Sequence, residues 1–420
     1  MAGAPDTEER HEALNLQALH SFWFKRFQVF DSSGDNYLFR DGLMPPSRTV
    51  SRSRFAGLTG RELQLALFQA GFAHARMTLP SGPVRNKPRD RADTLFWQYP
   101  CLTEGAAWDQ HAGMAEPMLR DGALHIYLGL PWATWIDFAR KAAWPAGGAA
   151  AMALQLQMLE VRLSGLRGAL DRLGIGLRVH TVCQHIYWRD VAQAWRRLGV
   201  TDAWLSHCPS SLSETELGIV LHPWALFAVN VRDSQRRTGI VTNRDPATKA
   251  VLASFTGAHA AHYLSNTRLR LRALENEAGF VVRVTDRWHF EQMVYGEQIM
   301  GEQISGQWPA QDGGDTVASY NALLSDSVFS LCPAGAGANT LRLWESLAIG
   351  SIPVLCGSQP MLPTGGTLPI IDWERIVMRI PDEQITRLPS LLRAIPISEV
   401  RERQQRGLRA YDQVIAQRCF

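Results

Sequence analysis

The sequence predicts an α/β protein built from two Rossmann-like domains that face a cleft. Three observations carry that reading. Residues 318–358 run helix, buried strand, glycine-rich turn, helix, buried strand, the order of a parallel βαβ unit. Residues 177–206 repeat it, with LRVHTV, a helix over 190–198 and then AWLS. The chain has 420 residues, more than one hydrophobic core usually serves. The expected divisions are an N-terminal acceptor-side domain over 1–230, a linker over 231–247, a C-terminal domain over 248–400 and a closing helical segment over 401–420 that crosses back to the first domain.

In chain order, residues 1–10 read as a tail. Leu14 to Phe30 (LNLQALHSFWFKRFQVF) reads as a packed or partner-facing helix, and residues 61–71 as a second helix stopped by Gly71. Ser81 to Arg91 (SGPVRNKPRDR) is a basic loop. TLFWQY at Thr94 to Tyr99 and ALHIYL at Ala123 to Leu128 have the β-former content of strands. GLPWATWIDF then mixes turn formers with Trp132, Trp135 and Asp137, a combination that suits a sugar platform beside a carboxylate as well as a core. Ala150 to Leu173 is a long amphipathic helix ending at Gly174. The strand Leu177 to Val182 delivers Cys183-Gln184-His185 at its carboxyl end, the edge at which open α/β sheets bind ligands. His185 is a candidate general base because its ordinary pKa lies near neutrality. Asp137 and Glu160 are the other candidates. A zinc site from His180, His185 and His207 is conceivable, but the spacing fits no metal signature.

The polar segment 231–248 reads as linker. AVLASF at Ala250 to Phe255 is a strand that runs into Gly257, where the backbone can approach a ligand. His262 to Glu275 reads as a helix that puts Arg268 and Arg272 on one face. Phe280 to Val284 is the next strand, followed by a Gln- and Gly-rich insertion and a helix at 317–325. In the central unit, SVFSL is a buried strand and PAGAG a turn. Asn339 is the expected cap of the next helix, and Gly350 its stop. Gly335, Gly337, Asn339 and Thr340 thereby present free N–H groups suited to phosphate. Arg342 and Glu345 stand three apart on that helix. An arginine can neutralise a diphosphate, and a carboxylate can accept two protons from a ribose diol. That pair describes a nucleotide-sugar; a surface ion pair is the alternative. Residues 370–377 and 385–391 supply a late strand or loop and a helix, and 408–415 a closing helix.

Composition narrows the class. The net charge is only +3, and no nucleic-acid module is recognisable. The 43 basic residues comprise four Lys and hence 39 Arg, which favours bidentate phosphate contacts. Six cysteines are scattered without a CxxC, as in the reduced core of a cytosolic protein. The first residues lack an apolar signal segment, and no apolar run reaches the roughly 18 residues of a spanning helix. A cytoplasmic location is expected, with peripheral contact at the inner face of the membrane left open.

The stretches AVLASFTGAHAAHYLSNTRLRL, YNALLSDSVFSLCPAGAGANTLRLWESLAIGSIPVLCGSQPMLP and IDWERIVMRIPDEQITRLPSLLRAI resemble the exostosin-like glycosyltransferases (GT47-like). The pattern is a strand ending in Phe-x-Gly, an Arg-x-x-Leu segment, a Leu-Cys-Pro glycine loop, an Arg-Leu-x-Glu helix and a Gly-x-Ile-Pro-Val strand. It spans roughly residues 249–395, about a third of the chain. The resemblance implies a GT-B arrangement, a nucleotide-diphosphate sugar (UDP- or GDP-linked) as donor substrate rather than a cofactor, and a glycan or lipid-linked glycan as acceptor. It implies that Arg342 contacts the donor, Glu345 its ribose and Arg268 the diphosphate. It also implies inverting chemistry without a metal, and no DxD occurs in the sequence. The family often has Arg after Cys-Pro, whereas position 334 is Ala. The expected role is glycosyl transfer in bacterial surface polysaccharide synthesis, such as capsule or lipopolysaccharide. Two other readings stay in view: a non-catalytic binding protein with a degenerate site, and another nucleotide-dependent enzyme. GAGAN lacks the third glycine of a dinucleotide loop, which weakens an NAD reading.

Overall fold

The computed structural model describes residues 78–79, 97–98, 101–112, 118–144, 147–172, 174–208, 215–286, 288, 290–300, 314–357 and 360–420. The expected tail, the helices at 14–30 and 61–71 and the basic loop at 81–91 lie outside them.

Two parallel sheets form the frame. The first comprises β1 (Thr78–Leu79), β2 (Met118–Arg120), β3 (Ala123–Leu128), β4 (Gly176–Cys183), β5 (Asp202–Leu205), β6 (Thr215–Glu216) and β7 (Ile219–Pro223). Its order is β1-β3-β4-β5-β7-β6, and β2 and β6 are antiparallel edges. The second comprises β8 (Val251–Ala258), β9 (Phe280–Thr285), β10 (Ser327–Pro333), β11 (Ile352–Cys356) and β12 (Met378–Ile380). All its pairings are parallel, in the order β12-β11-β10-β8-β9. Counted within that sheet the order is 5-4-3-1-2, so the winding reverses between β8 and β10. Ligands of open α/β sheets bind at such a reversal, outside the carboxyl ends of the strands. This is the two-Rossmann, GT-B-type frame expected from the buried strands.

The helices correct several expectations. Sequence reading left a gap before β2, which α1 (Thr103–Ala112) fills. The Trp-rich segment expected as a turn is α2 (Trp132–Arg140). Trp132 and Trp135 are buried on it, and Trp132 Nε1 donates to Thr181 Oγ1 at 2.7 Å, so both are core residues and not sugar platforms. Trp97 and Gln98, the described part of the expected strand at 94–99, form a bend and coil. The long helix α3 (Gly148–Arg172) and α4 (Arg189–Leu198) are found as expected. After the short α5 (Val229–Arg232), the expected linker lies against the second domain. Asn321 Nδ2 holds the carbonyls of Arg236 and Thr238 at 2.7 and 2.8 Å, and Asn243 N–H donates to Ile349 O at 2.9 Å. The expected helix over 262–275 is only α6 (Thr267–Arg270) followed by a 3₁₀ turn. Part of the Gln-rich insertion is a π-helix, Gln292–Ile299. The domain closes with α7 (Gly314–Ser325), α8 (Leu341–Ile349), α9 (Leu388–Arg393) and α10 (Ile397–Ile415).

Beyond α10 the chain returns to the first sheet. Cys419 N–H donates to His111 Nε2 at 3.0 Å. The Phe420 ring packs on His111, His125 and His180, with centroids 5.6, 5.4 and 4.7 Å away. Phe420 is buried among Trp97, Trp108, Tyr127 and Trp204. Burial pushes His111 down to about 4 and His180 to about 3, because the interior disfavours imidazolium.

These shifts predict an acid-sensitive fold. Both folded values lie below the ordinary 6.5, so the unfolded chain binds the protons first. Stability is intact above pH 6.5 and falls as the pH drops towards about 4, by up to about 1.4 kcal/mol per pH unit for each group. Urea midpoints measured between pH 7.5 and 4.5 test this. Phe420→Ala, which empties an aromatic site, is expected to cost about 3–5 kcal/mol at pH 7.5.

Candidate functional site

The carboxyl ends of β8 and β10 flank the winding reversal, and two arginines occupy it. Arg342 projects from the first turn of α8. It donates to the carbonyl of Thr256 on β8, and its guanidinium lies 4.8 Å from the Phe255 ring centroid and 5.1 Å from that of Tyr320. Gly257 makes room for it: a Cβ there would stand 3.3 Å from Arg342 Nη2. Arg268 comes from α6. Its Nε donates to Ala334 O at 2.9 Å, its Nη1 to Ala258 O, and its Nη2 to Pro333 O at 3.5 Å. Arg268 therefore staples the two strand ends together. It sets a cation beside position 334, although that residue is Ala. Burial lowers its pKa to about 10. Gly335 lies under it, where a Cβ would be 3.0 Å from Arg268 Nη2. Arg272, expected on the same face, is exposed instead and stands 4.0 Å from Glu275.

Glu345 lies one turn along α8 and is 2% exposed. It accepts from Tyr320 Oη at 2.7 Å and from Asn230 N–H at 3.3 Å. Burial raises its pKa, against the lowering pull of Tyr320 and Arg342. Arg342 and Glu345 are both buried, so a solvated surface pair is not their arrangement.

The glycine loop also meets the first domain. Asn339 does not cap α8 as expected; Thr340 is the N-cap residue and makes no side-chain cap bond. Asn339 Nδ2 instead donates to Ser206 O at 2.8 Å, and its Oδ1 accepts from Thr340 N–H and Trp344 Nε1 at 2.8 and 3.0 Å. The N–H of Asn339 donates to His207 Nδ1 at 3.3 Å. A Cβ at Gly337 would come within 2.2 Å of His207 Nδ1 and 2.6 Å of Ile186 Cγ2. Gly337 thus serves the contact between domains, a reason its sequence context did not reveal.

Across that contact lies a carboxylate network. Asp137 on α2 accepts His185 Nε2 at 3.1 Å on Oδ1 and Gln98 Nε2 on Oδ2. Gln184 Nε2 donates to Gln98 Oε1 at 3.0 Å. His185 Nδ1 accepts the N–H of Tyr187 at 3.1 Å. That bond requires the Nδ1 lone pair, so the ring proton sits on Nε2 and points at Asp137. Neither nitrogen of His185 is left to take a substrate proton, and Asp137 is the group able to do so. Glu104, which sequence reading missed, braces this corner from α1. It accepts Ala133 N–H and Gln184 N–H, both at 3.1 Å, supplying the first turn of α2 with the cap its own Pro131 lacks. Burial raises Glu104 to about 8. Glu160 stands apart from all of this, paired with Arg197 at 2.6 Å on the helical surface. His180 is remote from His185 in chemistry too, bonded at 2.9 Å to His125 Nδ1. Among the described residues no group of three or more His, Cys, Asp or Glu side chains could hold a metal ion, which removes the zinc reading of His180, His185 and His207.

On the arginine side, the Tyr263 ring packs 4.8 Å from the Arg268 guanidinium.

Residues 231–395 match the family description "Exostosin GT47 domain", which bears out the resemblance read from residues 249–395. A rice (Oryza sativa subsp. japonica) protein named "probable glucuronosyltransferase" is 34% identical over 88 residues, 21% of this chain and 20% of that one. An Arabidopsis thaliana protein named "probable beta-1,4-xylosyltransferase" is 32% identical over 94 residues, 22% of each chain. The match spans about a fifth of the length of these relatives. The solved GtfA/B complex aligns at 8% identity over 62% of this chain and 58% of that one, with a TM-score of 0.29; the fold assignment rests on the two sheets themselves.

Gly337→Ala is expected to destabilise the protein by about 1–3 kcal/mol through overpacking against His207. Adding His207→Ala in the same chain should recover most of that loss. Urea denaturation of the two single variants and the double variant measures the coupling.

Proposed function

We propose that this protein is a glycosyltransferase that moves a sugar from a nucleotide-diphosphate donor to a glycan hydroxyl. The observation that carries the reading is the pair of arginines, Arg342 buried and Arg268 half-buried, at the winding reversal of the second sheet, inside the stretch that matches the exostosin domain. The names of the plant relatives support a sugar nucleotide as donor. The positive dipole end at the start of α8 and the Arg342 guanidinium suit a diphosphate, although the N–H groups of Gly335, Asn339 and Thr340 are already bonded within the protein. Glu345 suits the ribose, since each of its oxygens has a lone pair left after the bonds from Tyr320 and Asn230.

In the reaction, Asp137 takes the proton from the acceptor hydroxyl. The oxygen attacks the anomeric carbon from the side opposite the diphosphate. The bond from that carbon to the phosphate oxygen breaks, and its electron pair leaves with the diphosphate. Arg342 and the positive dipole end of α8 stabilise the charge that develops there. One displacement inverts the anomeric centre, and a UDP- or GDP-sugar is the donor class. His185 and Gln98 hold the Asp137 carboxylate in place. Action on a surface or cell-wall polysaccharide, at the inner face of the membrane, belongs to the same proposal. No described helix is long and apolar enough to cross a membrane.

Calorimetric titration with UDP, GDP, ADP, TDP and CMP tests the donor half. One diphosphate should bind selectively, and Arg342→Ala should weaken it by about 30-fold or more, the size of a lost buried charge contact. Tight binding to none of the five, or binding indifferent to Arg342, overturns the reading. With a donor in hand, Asp137→Asn should lower the transfer rate about 10²–10⁴-fold, whereas His185→Gln, which keeps a donor towards Asp137, should lower it far less.

A further inference from the structure

We infer that Tyr187 and Arg140 form an acceptor subsite, a platform on which a pyranose ring of the acceptor glycan stacks beside Asp137. The inference rests on the glycosyltransferase reading and adds to it the residues that seat the second substrate.

Tyr187 is the one exposed aromatic side chain among the described residues. The tryptophans that invite a sugar-site reading, Trp132 and Trp135, are buried in the core. A single exposed apolar residue is ordinary on a protein surface, so exposure alone says little. Three further features set this ring apart. It is held: the Arg140 guanidinium lies 3.5 Å from its centroid, and Arg140 is itself fixed by Asp190 at 2.8 Å. One face of the ring is therefore occupied and its rotamer pinned, which leaves the opposite face to a ligand. It is placed: the backbone N–H of Tyr187 makes the bond that fixes the His185 tautomer. Its ring centroid lies 5.6 Å from that of His185, whose Nε2 donates to Asp137 Oδ1. It shares a helix with the carboxylate: Arg140, against its ring, stands three residues beyond Asp137, one turn along α2.

A pyranose presents a face of C–H bonds, and a pinned phenol ring offers a flat apolar partner that loses little conformational freedom on binding. Its hydroxyl groups project from the rim of that face. A ring seated on Tyr187 directs one hydroxyl towards Asp137. The platform selects for ring stacking and not for one particular sugar, so the hydroxyl that reacts is chosen by where Asp137 lies.

The test uses the full chain labelled with 3-fluorotyrosine. Fluorine NMR follows the Tyr187 resonance, assigned by its absence in Tyr187→Phe, during titration with hexasaccharides of xylan, cellulose, chitin and hyaluronan. The expected result is a shift of that resonance with at least one of the four. Binding of that oligosaccharide should weaken about tenfold in Tyr187→Ala and be kept within about twofold in Tyr187→Trp. Tyr187→Ala retains the backbone N–H and removes an exposed ring, so nucleotide-diphosphate affinity should be unchanged in it. A Tyr187 signal unmoved by all four, or equal oligosaccharide affinity in Tyr187→Ala, overturns the platform. Loss of nucleotide binding by the parent chain overturns the glycosyltransferase reading instead, and the fluorine readout tells the two failures apart.

Discussion

The carboxyl edges of the two sheets are brought together by the bare backbone at Gly337. His207 and Ile186 occupy the space that a side chain would fill, and Asn339 adds a hydrogen bond to Ser206 and another to His207. Through this contact the end of β10 and the ends of β4 and β5 share one boundary. The consequence for chemistry is geometric. His185 immediately precedes Ile186, and Arg342 follows the loop by two residues, so the carboxylate network and the arginines are positioned by the two halves of the same contact. Neither side needs a flexible arm to reach the other.

The electrostatic design of the site follows from burial. Arg268 spends its donors on three carbonyls at the ends of β8 and β10, and Arg342 spends one on Thr256. Carbonyl dipoles offset part of the cost of burying each cation but leave the net charge uncancelled. Glu345 lies one turn behind Arg342; burial raises its pKa, and the Tyr320 hydrogen bond and Arg342 oppose that rise. A positive site backed by a hydrogen-bonded carboxyl group is what an anion with an attached diol would complement. On the opposite side Asp137 accepts from His185 and Gln98, which fixes the direction in which its carboxylate points.

Much of this was legible in the sequence. The second sheet was, because continuous apolar strands such as SVFSL and IPVLC bracket a glycine turn and an amphipathic helix. Arg342 and His185 could be named because a helix first turn and a strand end carry them, Glu345 because it stands three residues beyond Arg342, and Asp137 because it stands beside Trp132 and Trp135 in the sequence. What failed has physical causes. α2 was hidden because its cap comes from Glu104, 29 residues away, and not from a local Ser, Thr or Asp. The contact of Gly337 with His207 and the bond of Asn339 to Ser206 were hidden because those partners are distant in sequence. The carbonyls that Arg268 meets were hidden too, because helical spacing carries no information about them. Glu160 looked like a candidate base only until Arg197 was seen to hold it. Tyr187 carried no signal of its own, since a pattern cannot tell which of many aromatic rings is left outside the core.

The return of the chain to the first sheet has a mechanical consequence. The backbone passes between the halves once near Trp224 and again beyond α10, and Trp224, Cys419 and Phe420 pack in a single cluster with Trp97 and Trp204. Two covalent crossings gathered in one aromatic cluster mean that a cut in either crossing leaves the other anchored in the same packing, so the joint between the halves is built with redundancy.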